Sequence, residues 1–202
     1  MFPLLWRPGF WVFLSVTLLT LFASGCAKAP TTTVITKDLI NVPQRILVLP
    51  FNNLSDEKNL GGIATQICQE YYFSRGLKLV NQGDLRIYLQ RHHLFLSKLT
   101  DEASPQIFAD LARELQITAL VKGTILTAYY QETQGESLPV ISLQLELLNA
   151  TNGKLIVSSF LTGYGKDYRS LLRFGVLHTA TQLLNRMIGE ITDNWNDKGA
   201  FL

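Results

Sequence analysis

The sequence predicts an α/β domain on a mixed sheet of about five strands covered by helices, in the order β-α-β-α-α-β-β-β-α. Three observations predict it. Arg45-Ile-Leu-Val-Leu-Pro50-Phe51 is a continuous apolar run closed by a proline, the pattern of a central strand buried on both faces. Segments of helical period separate it from the next apolar run, Ile117 to Thr127, as a parallel crossover requires. Downstream, Ile141, Leu143, Leu145 and Leu147 alternate with Ser142, Gln144 and Glu146. Leu155, Val157 and Leu161 then flank Ser159 beyond a turn ending in Asn152-Gly153, which makes an antiparallel hairpin.

The remaining elements follow in order. Asn52 to Asn59 reads as a polar loop. After Gly61-Gly62, Ile63, Ile67 and Tyr71 form one helical stripe with Ala64, Cys68 and Tyr72 beside it, and Gly76 is placed to end the helix. Leu77 to Val80 reads as a short strand. Asp84 is a candidate cap for a second helix that shares Leu85, Tyr88, Leu89 and His92 on one face. Ser104-Pro105 is a helix start, followed by Ile107, Phe108, Leu111, Ala112 and Leu115 on the apolar side. A final helix is expected from about Tyr168 to Asp193, with Leu172, Val176, Ala180, Leu184, Ile188, Ile191 and Trp195 in step.

The first 26 residues follow a different logic. Arg7 is the one charge before an apolar stretch, Phe10 to Ala23, of fourteen residues. At about 1.5 Å per residue this reaches about 21 Å, short of the roughly 30 Å hydrocarbon core. A positive start, a short apolar middle and small residues make a secretory signal. Ala23-Ser24-Gly25-Cys26 resembles the bacterial lipobox, in which the cysteine takes a diacylglycerol and becomes the mature N-terminus. Ala23 stands where leucine is usual. The alternative is an uncleaved span from Leu4 to Ala23, which Arg7, Pro8 and Gly9 interrupt. Ala27, where an aspartate would retain a lipoprotein in the inner membrane, implies the outer membrane. Several acyl chains would hold the protein there durably.

The expected organisation is therefore a signal peptide at 1–25, a lipidated Cys26 with linker to 44, an α/β domain at 45–195 and a tail at 196–202. Removing residues 1–25 from the 202 leaves 177 and a formal charge of +1. Cys68 is then the one thiol not consumed by lipid, so no internal disulfide is expected. Its apolar helical setting reads as a buried small hydrophobe. Ala27 to Pro43 is polar, with a typical span of about 20–25 Å and a limit near 60 Å.

With 47% apolar and 17% charged residues the chain is neither disordered nor disulfide-scaffolded. Two excess positive charges give no basis for nucleic-acid binding. Phe73-Ser74-Arg75-Gly76 lacks the first glycine of a nucleophile elbow, and no Lys-Ser/Thr pair follows Gly61-Gly62. His92 and His93 are adjacent and point apart on a helix, and no ligand spacing joins them to His178. The expectation is a protein with no catalytic set, metal or cofactor. What remains is aromatic: Tyr71-Tyr72-Phe73 in sequence, and Tyr129, Tyr130, Trp195 and Phe201 as candidate interface residues.

Four segments carry a resemblance. Ile46-Leu-Val-Leu-Pro-Phe-Asn-Asn-Leu-Ser55, Gly76-Leu-Lys-Leu-Val80 ahead of Asp84-Leu85, Ala119-Leu-Val-Lys-Gly-Thr-Ile125, and Leu145 to Leu155 around Asn152-Gly153-Lys154 resemble, in that order, the CsgG-like superfamily of bacterial outer-membrane lipoproteins. The resemblance spans Arg45 to Asp193 and implies a non-catalytic periplasm-facing lipoprotein, an accessory of envelope export or assembly for polysaccharide or curli-type secretion. It implies a homo-oligomer or envelope protein partners. The alternative branch is a lipoprotein that binds and activates a peptidoglycan synthase. Gln131 to Pro139 and Phe95 to Ala103, nine residues each, are too short to be membrane-crossing hairpins. The short linker favours a compact PelC-like member over an LpoB-like member on a long tether.

Overall fold

A computed structural model describes residues 31–34, 45–100, 104–133, 135–168 and 175–200. Its elements are β1 (Thr31–Val34), β2 (Ile46–Val48), β3 (Asn52–Asn53), α1 (Leu60–Ser74), α2 (Gln82–Arg91), α3 (Leu96–Thr100), α4 (Pro105–Leu115), β4 (Ala119–Thr133), β5 (Glu136–Asn149), β6 (Leu155–Tyr164), a 3-10 turn (Gly165–Tyr168) and α5 (Ala180–Asp197). The sheet is mixed, with order β1-β6-β5-β4-β2 and β3 also on β4. β2 and β3 run parallel to β4, and the other pairs are antiparallel.

The alternation within Ile46 to Leu49 explains the two layers. Ile46 and Val48 enter a core beneath α1 and α5, whereas Leu47 and Leu49 enter one beneath α2 and α4. All four are fully or almost fully buried, so the strand must be apolar throughout. On the α1/α5 side lie Val121, Ile125, Leu143, Leu145, Leu147, Val157 and Leu161. The second layer is smaller and covers one end of the sheet, around Leu120, Leu148 and Ala150.

Caps fix the helices. Ser104 Oγ accepts from the Ile107 amide with Pro105 in the first turn, as the sequence implies. Gly76, at φ 80°, follows the end of α1. The cap of α2 is Asn81, whose Oδ1 accepts from Gly83, so Asp84 is a first-turn charge and not the cap. Thr179 and Gln182 form a reciprocal capping box that starts α5 at Ala180. The helix expected from Tyr168 is thus shorter: residues 165–168 form the 3-10 turn, and the described chain re-enters at Gly175 ahead of the cap.

Four strand expectations also change. Leu77 to Val80 makes an isolated parallel bridge, Leu79 to Ile46, flanked by the bonds Ile46 N–H to Lys78 O (2.8 Å) and Val80 N–H to Ile46 O (3.0 Å). Asn52–Asn53, read as loop, pairs with Thr124–Ile125. The polar stretch read as linker contains β1, in which Thr31 to Val34 pair with Phe160 to Val157. Threonines suit an edge strand, but the pairing is non-local and leaves no periodic signature. Finally, β4 and β5 run on to the Thr133–Glu136 pair, so Gln131 to Pro139 is the end of a continuous hairpin.

Candidate functional site

Of the interface candidates, Tyr129 and Tyr130 are 50% and 43% exposed near the free end of this hairpin. Tyr130 Oη accepts from the Ala180 amide at 3.3 Å, which ties the hairpin to the start of α5. Trp195 is corrected: it is wholly buried, and its indole N–H donates to Ser159 Oγ at 2.6 Å. Its position on the apolar stripe of α5 turns it into the core under β6. Cys26 and Phe201 lie outside the described residues.

The groove between α1 and α5 brings together groups that lie far apart in the sequence. It encloses about 520 Å³ and is lined by Tyr71, Arg75, Gln182, Asn185, Arg186, Glu190 and Asp193 among others. At one end Tyr71 Oη donates to Asp193 Oδ1 (2.6 Å). Arg75 donates to both the tyrosine oxygen and the same carboxylate oxygen, 2.6 Å each. The Arg75 guanidinium stands 4.9 Å from the Tyr71 ring centre. At the other end Arg186 Nε donates to Glu190 at 3.0 Å, and the Tyr168 hydroxyl donates to the second oxygen at 3.1 Å.

Partial burial, then the Asp193 hydrogen bond and charge, push the Tyr71 pKa up to about 12. Burial and Glu190 raise Tyr168 as well. Both phenols therefore keep their protons at neutral pH and act as donors. Each carboxylate is held by an arginine and a tyrosine, so the groove is a hydrogen-bonding surface of fixed polarity. The (i, i+4) pairs Tyr71/Arg75 and Arg186/Glu190 were the available signal. Their convergence, more than 100 residues apart in sequence, depends on α1 packing against α5.

Other polar candidates sit apart from this groove. His92 Nε2 lies 2.8 Å from Glu114, which Arg91 also meets, and the His92 ring stacks at 4.4 Å on Tyr88. The His178 amide donates to Gln182. Gly61 lies in the first turn of α1, where a Cβ would come 2.8 Å from the Phe51 carbonyl. That glycine serves close packing of the chain. Among the described residues no group of three or more His, Cys, Asp or Glu is placed to hold a metal, and no helix is long and apolar enough to cross a membrane.

A second surface is the sheet face opposite α1 and α5. Outside the end covered by α2 and α4, strand alternation and register place Lys122, Thr124, Tyr129, Ser142, Gln144, Glu146, Phe160, Thr162 and Tyr164 on it, with Leu138 and Val140, each 2% exposed, at its hairpin end. Tyr129, Val140 and Tyr164 form one cross-strand row, and Lys166 Nζ lies 5.2 Å from the Tyr164 ring. Phe160 is 44% exposed.

Fold and sheet order define a small mixed α/β domain whose structural neighbours include bacterial lipoproteins. No family model matches the sequence, and no curated protein is similar to it at the sequence level. Lipoprotein GNA1162 from Neisseria meningitidis is 16% identical, with a TM-score of 0.53 over 77% of this chain and 99% of its own. A PelC dodecamer from Paraburkholderia phytofirmans is 16% identical, with a TM-score of 0.50 over 80% and 97%. The hypothetical protein CT253 from Chlamydia trachomatis is 13% identical, with a TM-score of 0.50 over 78% and 96%. At these identities the likeness is one of fold.

Proposed function

We propose that the chain is a non-catalytic lipoprotein, anchored through Cys26 in the outer membrane and facing the periplasm. Its role is that of a self-associating accessory in an envelope export or assembly machine of the CsgG-like kind. The observation that carries this reading is the pairing of Ala23-Ser24-Gly25-Cys26 with a fold shared by lipoprotein GNA1162 and by PelC, the latter a dodecamer. The groove supports it from the chemical side: its carboxylates are neutralised in place and its tyrosines retain their protons, an arrangement suited to binding and not to proton transfer.

Mass spectrometry of protein from bacterial membranes is expected to find an acylated Cys26 and no residues 1–25. Native mass spectrometry of residues 27–202 is expected to find a defined oligomer. A free leader and unmodified thiol would overturn the location, and a monomer at high concentration would overturn self-association. Affinity capture of a peptidoglycan synthase, with loss of its activity on deletion, would favour the regulator instead.

A further inference from the structure

We propose that the outward stripe of α5 is the surface on which a second copy of this chain docks, helix against antiparallel helix, about a two-fold axis passing between Gly189 and Glu190. This deepens the self-association proposed above and rests on it. At about 100° per residue, Gln182, Arg186, Gly189, Asp193 and Asp197 fall within an arc about 80° wide. The arc lies opposite the core residues Leu184, Ile188, Ile191 and Trp195. The Arg186 and Asp193 side chains are 63% and 52% exposed, and Gln182 and Asp197 are exposed as well.

The polarity of this stripe is ordered. Its N-terminal half offers donors. Gln182 Oε1 is committed to the His178 and Thr179 amides, which leaves the Nε2 hydrogens unpaired among the described residues. Arg186 uses Nε on Glu190 and keeps the fork of its two Nη groups. The C-terminal half offers acceptors. Asp193 receives Tyr71 and Arg75 on Oδ1, so Oδ2 stays open, and Asp197 has no side-chain bond among the described residues.

Within one copy these charges oppose the helix dipole. The first turn of α5 holds no acidic residue and the last turn no basic one, while Glu190, Asp193 and Asp197 gather toward the C-terminus, where carboxylates are disfavoured. Lys198 at the cap lies about 100° round the helix from Asp197. An antiparallel second helix reverses the penalty, because it brings its own N-terminal half and Arg186 beside those carboxylates.

The register closes on itself. Arg186 and Asp193 lie about 5 Å along the helix on either side of the axis, so Arg186 of each copy faces Asp193 of the other. Gln182 and Asp197 are likewise equidistant from it, at about 11 Å. Arg75 and the incoming Arg186 then bracket Asp193, one guanidinium to each oxygen. A two-fold contact requires this kind of self-complementary patch. Gly189 fits the same picture. A Cβ there would meet nothing closer than Tyr71 Cε2 at 3.4 Å, an ordinary contact, so the fold of one copy does not require a glycine. Glycine inside a helix is destabilising relative to alanine, and close approach of a second helix gives it a use.

The test uses the full chain, expressed with residues 1–25 and purified from membranes in dodecyl maltoside, with association read by native mass spectrometry. Arg186→Glu sets like charges together at both contacts, and so does Asp193→Lys. Each alone is expected to weaken association about tenfold or more. Co-expressed with different tags, the two variants are expected to recover a one-to-one pair, since opposite charges then meet at both places. Arg86→Glu, the same charge change at an exposed site on α2, is expected to leave association as in wild type. If circular dichroism shows Asp193→Lys unfolded, Asp193→Asn keeps an acceptor for Tyr71 and Arg75 and is expected to weaken association severalfold. Folded α5 variants that associate like wild type, a folded pair that fails to recover, or equal damage from Arg86→Glu overturns the surface and leaves self-association standing. Wild-type protein that is monomeric at every concentration overturns both.

Discussion

The indole of Trp195 and the hydroxyl of Ser159 meet at 2.6 Å in the core, joining the last turns of α5 to the middle of β6. A buried donor that loses its acceptor keeps the desolvation penalty, about 1–3 kcal/mol. Ser159→Ala is therefore expected to destabilise the domain by about that much, and Trp195→Ala by about 3–5 kcal/mol through the cavity it leaves. Trp6 and Trp11 lie in residues 1–25, so Trp195 alone reports urea unfolding by fluorescence in protein lacking them. Equal midpoints for wild type and Ser159→Ala would show that the bond contributes nothing.

Thr179 caps α5 reciprocally with Gln182. Thr179→Ala is expected to cost about 1 kcal/mol, and Thr179→Ser much less, because the serine hydroxyl restores the acceptor. Thermal unfolding of the three proteins measures the difference. Alanine and serine variants of equal stability would remove the capping role.

Gly123 and Gly163 are space requirements. A Cβ at 123 would sit 2.3 Å from the Phe51 ring, and one at 163 would sit 2.7 Å from Met187 Sδ. Gly123→Ala is expected to destabilise by about 1–3 kcal/mol, because a ring packed against the sheet cannot shift without opening a void. Gly163→Ala is expected to be milder, since a thioether chain can adopt another rotamer. Adding Phe51→Leu to Gly123→Ala should recover part of the loss in denaturant melts.

Stability is expected to fall at both pH extremes. The His92 hydrogen bond, followed by Arg91, holds the Glu114 pKa below its usual value. The unfolded state thus binds its proton first. The stabilisation is present above the ordinary carboxylate range and is lost as pH falls through the lowered folded value. Glu114→Gln should flatten the acid side. Burial raises the Cys68 thiol, and Tyr71 is raised to about 12. Their contributions are complete below the ordinary thiol and phenol values and are lost as pH climbs toward the raised ones. Denaturant midpoints from pH 3 to 11 test both limbs, and Tyr71→Phe should flatten the alkaline limb.

Local chemistry made much of this fold legible. The run at Ile46 to Leu49, the Ser104-Pro105 start and the Asn152-Gly153 turn signal themselves within a few residues, and each lies where the sequence places it. Contacts distant in the chain were not legible. Thr31 to Val34 form a strand only because β6 offers an edge, and Leu79 is limited to a bridge by what adjoins Ile46. Trp195 has the same aromatic signature as Tyr129, and only the packing of α5 against β6 separates core from surface. The paired Arg–Tyr–carboxylate groups of the groove required two helices to meet.

The four residues of β1 also act as a guard. They satisfy the outer backbone groups of Val157 to Phe160, which would otherwise form a ready template for another chain. A protein trimmed to begin at Arg45, the start of the most recognisable part of the sequence, would leave that rim bare. Strand exchange and fibrous clumping during purification would follow from the cut itself and would imitate self-assembly.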